Sequence, residues 1–219
     1  PAQPPPDPFR SWMAKRTKSK FPADFRFQGT DGIRSETKLS AVCEPLSPQR
    51  LFCEKRVITE RFMELYAYAY IRLLISEGAM QPGEPVVIGW DPRDVDGVFT
   101  GAAVNGIRKA GAAALVLGIV PTPLVPMFML WKRARGGLMI TASHNPKDQN
   151  GIKIFRACRG MKLLPRNDIK LTRCIFDCDD SSIAAMQPVG ERVDCREAAL
   201  DLFVRFSLNP ANSWKGDVS

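Results

Sequence analysis

Apolar positions along this chain follow two different periods, and the switches between them mark out most of its elements. From Thr59 to Glu77, Phe62, Leu65, Tyr66, Ala69, Ile71, Leu73 and Leu74 recur at helical spacing, which predicts a helix with a broad buried face. Thr59 is placed to cap its start and Gly78 to end it. Pro85 to Trp90 is short and apolar throughout, the mark of a strand buried on both faces. A helix over about 98–110 ends at Gly111, and a strand over 113–120 follows. Pro121 and Pro123 open a helix that runs to about Arg135, ahead of a strand over 137–141. A further strand over 151–155 comes soon enough to return antiparallel.

The flanks carry weaker patterns. Residues 21–36 alternate and then turn at Gly29 and Gly32, predicting a strand that enters a tight glycine loop. Residues 37–56, punctuated by Pro45 and Pro48, have no period and are expected to be irregular. Helices are expected over about 165–176 and 195–206. The sequence contains no internal repeat. Strands and helices in alternation predict an α/β fold, a three-layer α/β/α sandwich with a mostly parallel sheet and an antiparallel strand. Ligands of such sheets bind beyond the carboxyl ends of strands, so the loops after Trp90 and after Thr141 fall on one rim.

Composition narrows the setting. Of 219 residues, 45% are hydrophobic, enough for an ordinary core. No apolar run is long enough to span a bilayer, and no secretory signal is visible, so no membrane partner and a cytoplasmic location are expected. The chain starts at Pro1 rather than Met, as expected of a processed or truncated N-terminus. The formal net charge is +8, and residues 1–20, with five basic side chains against Asp7, supply half of it. Their Pro-rich, polar composition predicts a disordered leader rather than a specific nucleic-acid arm. The remaining positive charge suits a small anionic ligand. Six cysteines form no Cys-x-x-Cys pair and His144 is the single histidine, which argues against zinc. The cysteines are expected to be free thiols.

The densest chemistry is Thr141-Ala142-Ser143-His144-Asn145-Pro146, running on to Asn150-Gly151-Ile152-Lys153. A hydroxyl that can carry a phosphoryl group is followed by an imidazole, an amide and lysines that can donate to it. No G-x-S-x-G elbow supports a serine hydrolase. Lys153 can come back near Ser143 if the intervening loop returns as a strand. Gly29-Thr30-Asp31-Gly32-Ile33-Arg34 is a small-residue loop ending in an arginine that can fork onto phosphate, and it is not a Walker A loop. In Asp91-Pro92-Arg93-Asp94-Val95-Asp96 the spacing is not that of an EF-hand, and the aspartates are expected to cap the next helix. Arg93 can reach the rim that holds Ser143.

Together these motifs resemble the α-D-phosphohexomutase family of phosphoglucomutases and phosphomannomutases. The family's T-[AG]-S-H-N-P phosphoserine loop with its N-G-x-K continuation matches residues 141–153, G-T-[DS]-G-[IL]-R matches 29–34, and G-x-D-x-R matches 89–93. The resemblance implies Ser143, His144, Lys153 and Arg34 as catalytic residues. It implies Thr30, Asp31, Arg93 and Asn145 as phosphate- or substrate-binding residues. It further implies a Mg²⁺ ion touching the Ser143 phosphate, a hexose phosphate substrate and a hexose bisphosphate intermediate or activator. It divides the chain into a leader (1–20), a first domain (21–190) and the stub of a second (191–219). Two departures stand out. Ser35 follows the arginine where glycine is common, and the Asp-x-Asp-x-Asp-Arg metal loop is absent, since Asp177-Cys178-Asp179-Asp180 has the wrong spacing. The implied partners are therefore the family's missing domains II–IV, and the isolated chain is expected to be inactive. The alternative is a stand-alone, non-catalytic domain that binds sugar phosphate or protein.

Overall fold

The computed structural model describes residues 26–28, 32–157, 160–163 and 165–212. Seven strands form one sheet in the order β2-β1-β6-β5-β3-β4-β7. They are β1 (Ile33–Thr37), β2 (Val57–Ile58), β3 (Pro85–Trp90), β4 (Ala113–Ile119), β5 (Gly136–Ile140), β6 (Gln149–Arg156) and β7 (Arg192–Asp194). Only β6 runs against its neighbours, pairing antiparallel with both β1 and β5, while the other four pairings are parallel. The helices are α1 (Pro48–Arg50), α2 (Glu60–Ser76), α3 (Val98–Lys109), α4 (Leu124–Lys132), α5 (Pro165–Asp177), α6 (Asp180–Ala185) and α7 (Arg196–Leu208).

Strand alternation splits the core into two layers. Val86, Ile88, Leu138, Ile140, Ile152 and Ile154 face one side, where they pack with side chains of α2, α3 and α5. Val87, Leu117, Met139 and Phe155 face the other, where they meet Val125 and Phe128 of α4 and Ala199 of α7. These are the helix, sheet and helix layers of an α/β/α sandwich, with an antiparallel strand as expected. α2 is the central element of its layer: Tyr66, Tyr70, Phe62, Met63, Leu65, Ile71 and Leu74 are almost wholly buried. Its N-cap is Thr59, whose hydroxyl accepts from the Phe62 N–H.

Several expectations need correction. A strand follows the glycine loop, β1 starting at Ile33, and of the segment expected to enter it the described residues 26–28 are not in a strand. The supposedly irregular 37–56 holds α1, capped by Ser47, running into a π-helical turn over Leu51–Lys55 that seats Phe52 in the core. A single π turn has no period for a pattern search to find. The helix expected to reach Arg135 stops at Lys132, because Arg133 adopts φ +52°. β2, β7 and α6 were not anticipated, being short. In the segment from residue 191, read above as the stub of a second domain, β7 pairs with β4, and α7 seats Ala199 against the second core layer. The leader over 1–20 lies outside the described residues, as does Cys158. The other five cysteines are free thiols. Among the described residues, no helix is long and apolar enough to cross a membrane.

Two features make stability predictions. Gly106 of α3 lies against α2 so closely that a Cβ there would stand 2.2 Å from the Glu64 carbonyl oxygen. Gly106→Ala should therefore destabilise the fold by about 1–3 kcal/mol, although alanine is the better helix former; an unchanged midpoint in urea unfolding would contradict this. Asp168 of α5 is 2% exposed. Burial pushes its carboxyl up to about 6, against the opposing pull of Arg26 and the Gln28 N–H. A carboxyl raised above its unfolded value stabilises below the unfolded pKa and loses that contribution as pH rises through the folded one. Stability should thus decline between about pH 4 and pH 6, and Asp168→Asn should flatten that slope in denaturation curves taken across the range.

Candidate functional site

β3 and β5 are adjacent and parallel, so Asp91 and Thr141, each one residue past its strand, emerge side by side. The Asp91 N–H donates to the Ile140 carbonyl at 3.1 Å and the Thr141 N–H to the Gly151 carbonyl at 2.9 Å, which tie both loop bases to the sheet. An open cleft of about 440 Å³ lies there, lined by Asp91, Pro92, Val120, Pro121, Met139, Thr141 and Ser143 among others. The two loops share one rim, as strand order requires.

Within the Ser143 loop, the backbone is held by two small networks. The Thr141 hydroxyl donates to Asp91 Oδ2 and accepts from the Ser143 N–H at 2.8 Å. Asn145 Nδ2 donates to Gln149 Oε1 at 2.7 Å, and the Asn145 N–H returns to the Ala142 carbonyl at 3.2 Å. Ser143 itself is exposed and adopts φ +60°. That left-handed conformation costs a non-glycine residue roughly 1–2 kcal/mol, and such strain persists only where surroundings over-determine it.

Arg93 is the surrounding group. Its Nε sits 2.9 Å from both oxygens of Asp91. Its Nη1 donates to the carbonyls of Gln149 at 2.7 Å, Pro146 at 3.2 Å and, more weakly, Asn145 at 3.4 Å, and its Nη2 to that of Ser143 at 2.7 Å. Arg93, expected to hold substrate phosphate, directs these donors at the loop backbone and Asp91. Asp94, in turn, accepts from the Thr100 N–H at 2.6 Å and so caps the first turn of α3, the role foreseen for it.

β6 brings the remaining candidates to this side of the sheet. Lys153 is opposite Met139 in the antiparallel register, and Arg34 is opposite Gly151. Ile33, Ile152 and Ile154 point into the first core layer, so Arg34 and Lys153 lie on the opposite face, the face of Met139, which lines the cleft. Lys153 is 8% exposed, a burial that an alternating pattern alone would not assign to lysine. The approach of β1 to β6 requires glycine at two points. A Cβ on Gly32, which has φ +104°, would stand 2.4 Å from the Ile152 carbonyl oxygen, and one on Gly151 would stand 1.9 Å from that of Ile33. Ser35, the departure noted above, donates to the Arg56 carbonyl, which ties β1 to the turn before β2. His144 is exposed at the tip of the loop. Thr30 and Asp31 lie outside the described residues.

The described residues contain no group of three or more His, Cys, Asp or Glu that could hold a metal ion. Asp91, the carboxylate of the cleft, is already paired with Arg93 and Thr141. These side chains do not by themselves make a Mg²⁺ site.

A strained, exposed serine past a strand end, with a buried lysine and an arginine on one face of the same sheet, is the chemistry this α/β domain presents. Comparison with known proteins places the domain in a family. Residues 26–181 match the family model for phosphoglucomutase/phosphomannomutase, alpha/beta/alpha domain I, and the chain belongs to that family. It is 46% identical over 137 residues to a phosphoglucosamine mutase of Prochlorococcus marinus (strain MIT 9303), covering 63% of this chain and 24% of that protein. A phosphoglucosamine mutase of Acetivibrio thermocellus is 30% identical over 184 residues, covering 83% of this chain and 36% of the relative. Among solved structures, one assigned as a phosphomannomutase from Thermus thermophilus superposes with a TM-score of 0.57 at 28% identity, covering 78% of this chain and 33% of that one. The chain thus spans about a quarter to a third of the length of these relatives.

The strain at residue 143 is directly testable. Ser143→Gly removes the Cβ that disfavours φ +60° and should raise stability by about 0.5–1 kcal/mol. A loss of stability on calorimetric melting would mean that the serine side chain contributes more to the loop than its strain costs.

Proposed function

We propose that this chain is the phosphoserine-bearing part of a hexose-phosphate mutase, with Ser143 as the phosphoryl carrier. The observation that carries the reading is Ser143 itself, exposed at the strand end in a left-handed conformation that its neighbours enforce. The family match over residues 26–181 favours this over a stand-alone binding domain. In the proposed reaction the phosphoryl group on Ser143 Oγ passes to a free hydroxyl of a hexose monophosphate. The serine P–O bond breaks as the sugar P–O bond forms, and the hydroxyl proton leaves to a base. The product is a hexose bisphosphate, which turns over and returns its other phosphate to the serine, so that hexose 1-phosphate and hexose 6-phosphate interconvert.

Such a transfer depends on positioning and charge neutralisation more than on covalent help. Lys153 and Arg34 would offset charge on the transferring group. His144, at the tip of the loop, is the candidate to take or return the hydroxyl proton. Asn145 would shape the loop through its bond to Gln149, and Thr30 and Asp31 would meet substrate from the glycine loop. A Mg²⁺ ion, expected of the family, would supply charge compensation at the serine phosphate, but its remaining ligands must come from outside the described residues. Further domains of the same polypeptide, like those that make the relatives longer, are the proposed partners. The cytoplasm is the proposed compartment. Glucosamine phosphate is the first substrate to test, since the similar curated proteins above are phosphoglucosamine mutases.

Incubation with a hexose bisphosphate followed by phosphopeptide mapping should find phosphate on Ser143, and Ser143→Ala should abolish both labelling and mutase turnover in the complete polypeptide. Undiminished turnover in that variant would refute the assignment.

A further inference from the structure

We infer that Arg93 is a positioning residue, which shapes the Ser143 loop into an anion cradle without touching the phosphoryl group; the inference rests on the reading of Ser143 as the phosphate carrier. One guanidinium draws in the carbonyls of Ser143, Asn145, Pro146 and Gln149 while its Nε is fixed on Asp91. Every peptide bond here is trans. In a planar trans peptide the N–H points opposite to the carbonyl. The carbonyls of Ser143 and Pro146 face Arg93, so the N–H groups of His144 and Lys147 face away from it. Neither N–H has an acceptor among the described residues. The intervening peptide ends at Pro146, which has no N–H to place. The loop thus turns four carbonyls onto a fixed cation and the N–H groups of His144 and Lys147 away from it, an arrangement suited to an anion.

The same geometry explains why arginine is used. A lysine has one ammonium and no fork, so it cannot hold Asp91 through one edge and a fan of carbonyls through the other. Thr141 completes the device from the other side, accepting from the Ser143 N–H while donating to Asp91. Arg93, Asp91 and Thr141 therefore act on the phosphate only through the backbone that they hold.

The test uses the full 219-residue chain with phosphoserine installed biosynthetically at position 143, and follows its ³¹P shift against pH. A free phosphoserine has its second pKa near about 6. In the parent chain that value should be lower by about one pH unit, the effect of roughly one charge-assisted hydrogen bond. Arg93→Lys keeps the positive charge yet should raise the titration above the parent value by about one pH unit, leaving only what Lys153 and Arg34 contribute directly, and Arg93→Met should do the same. Thr141→Val changes no charge and should shift the titration in the same direction, which keeps the test open if an Arg93 variant does not fold. Retention of the lowered value by Arg93→Lys with its loss in Arg93→Met would show Arg93 acting by direct charge and overturn the inference. A parent value equal to that of the free amino acid would overturn it too, as would a value the same in the parent and every variant. Because the phosphate is installed rather than transferred, the result is independent of whether Ser143 is a carrier in turnover.

Discussion

The site depends on a single guanidinium. Arg93 meets Asp91 with one edge and the carbonyls of the Ser143 loop with the other, and it does so part-buried, where such bonds are stronger than in water. Ser143 sits at φ +60° in a loop whose own backbone bonds include those from Asn145 to Ala142 and from Gln149 to Pro146. The enthalpy of several charge-assisted hydrogen bonds offsets that strain and the entropy of ordering the loop. The cost is that the arginine most suggestive of phosphate binding is turned toward the protein.

That arrangement is possible because of the sheet beneath it. Parallel pairing of β3 and β5 brings Asp91 and Thr141 to the same height. Antiparallel β6 then carries the chain straight back, so Lys153 returns beside Met139 after only a short excursion. A helical crossover at this point would have carried Lys153 away to another strand. β6 also recruits β1, and with it Arg34, through an approach that Gly32 and Gly151 permit. One reversed strand in an otherwise parallel sheet is what joins two sequence-distant motifs on a single face. The two helix layers support this from both sides, with α2 burying three tyrosines and most of its length against the first face and α4 with α7 closing the second.

Residues after about 190 pack against this sheet. β7 lies at the edge of the same sheet, and α7 shares a core layer with α4. Leu200, Val204, Phe206 and Leu208 of α7 remain exposed, so only part of this helix is accounted for by the packing described.

The elements were legible in sequence wherever their length allowed a period to show. α2, α3 and the four central strands β3 to β6 follow from hydrophobic spacing, because burial on a face imposes the repeat. The α/β class follows from their order. Three motifs at or beside strands carried the family resemblance that implied Ser143, His144, Lys153 and Arg34 as a group. What sequence could not decide was direction. Whether Arg93 faces ligand or loop depends on where five acceptors converge, and those acceptors come from positions 91 to 149, most of them backbone carbonyls that every residue possesses. The π turn, β7 and the burial of Lys153 are likewise outcomes of tertiary packing. Residue type determined which chemical groups this protein carries; only the folded chain decided which of them open onto the rim and which hold the loop that bears Ser143.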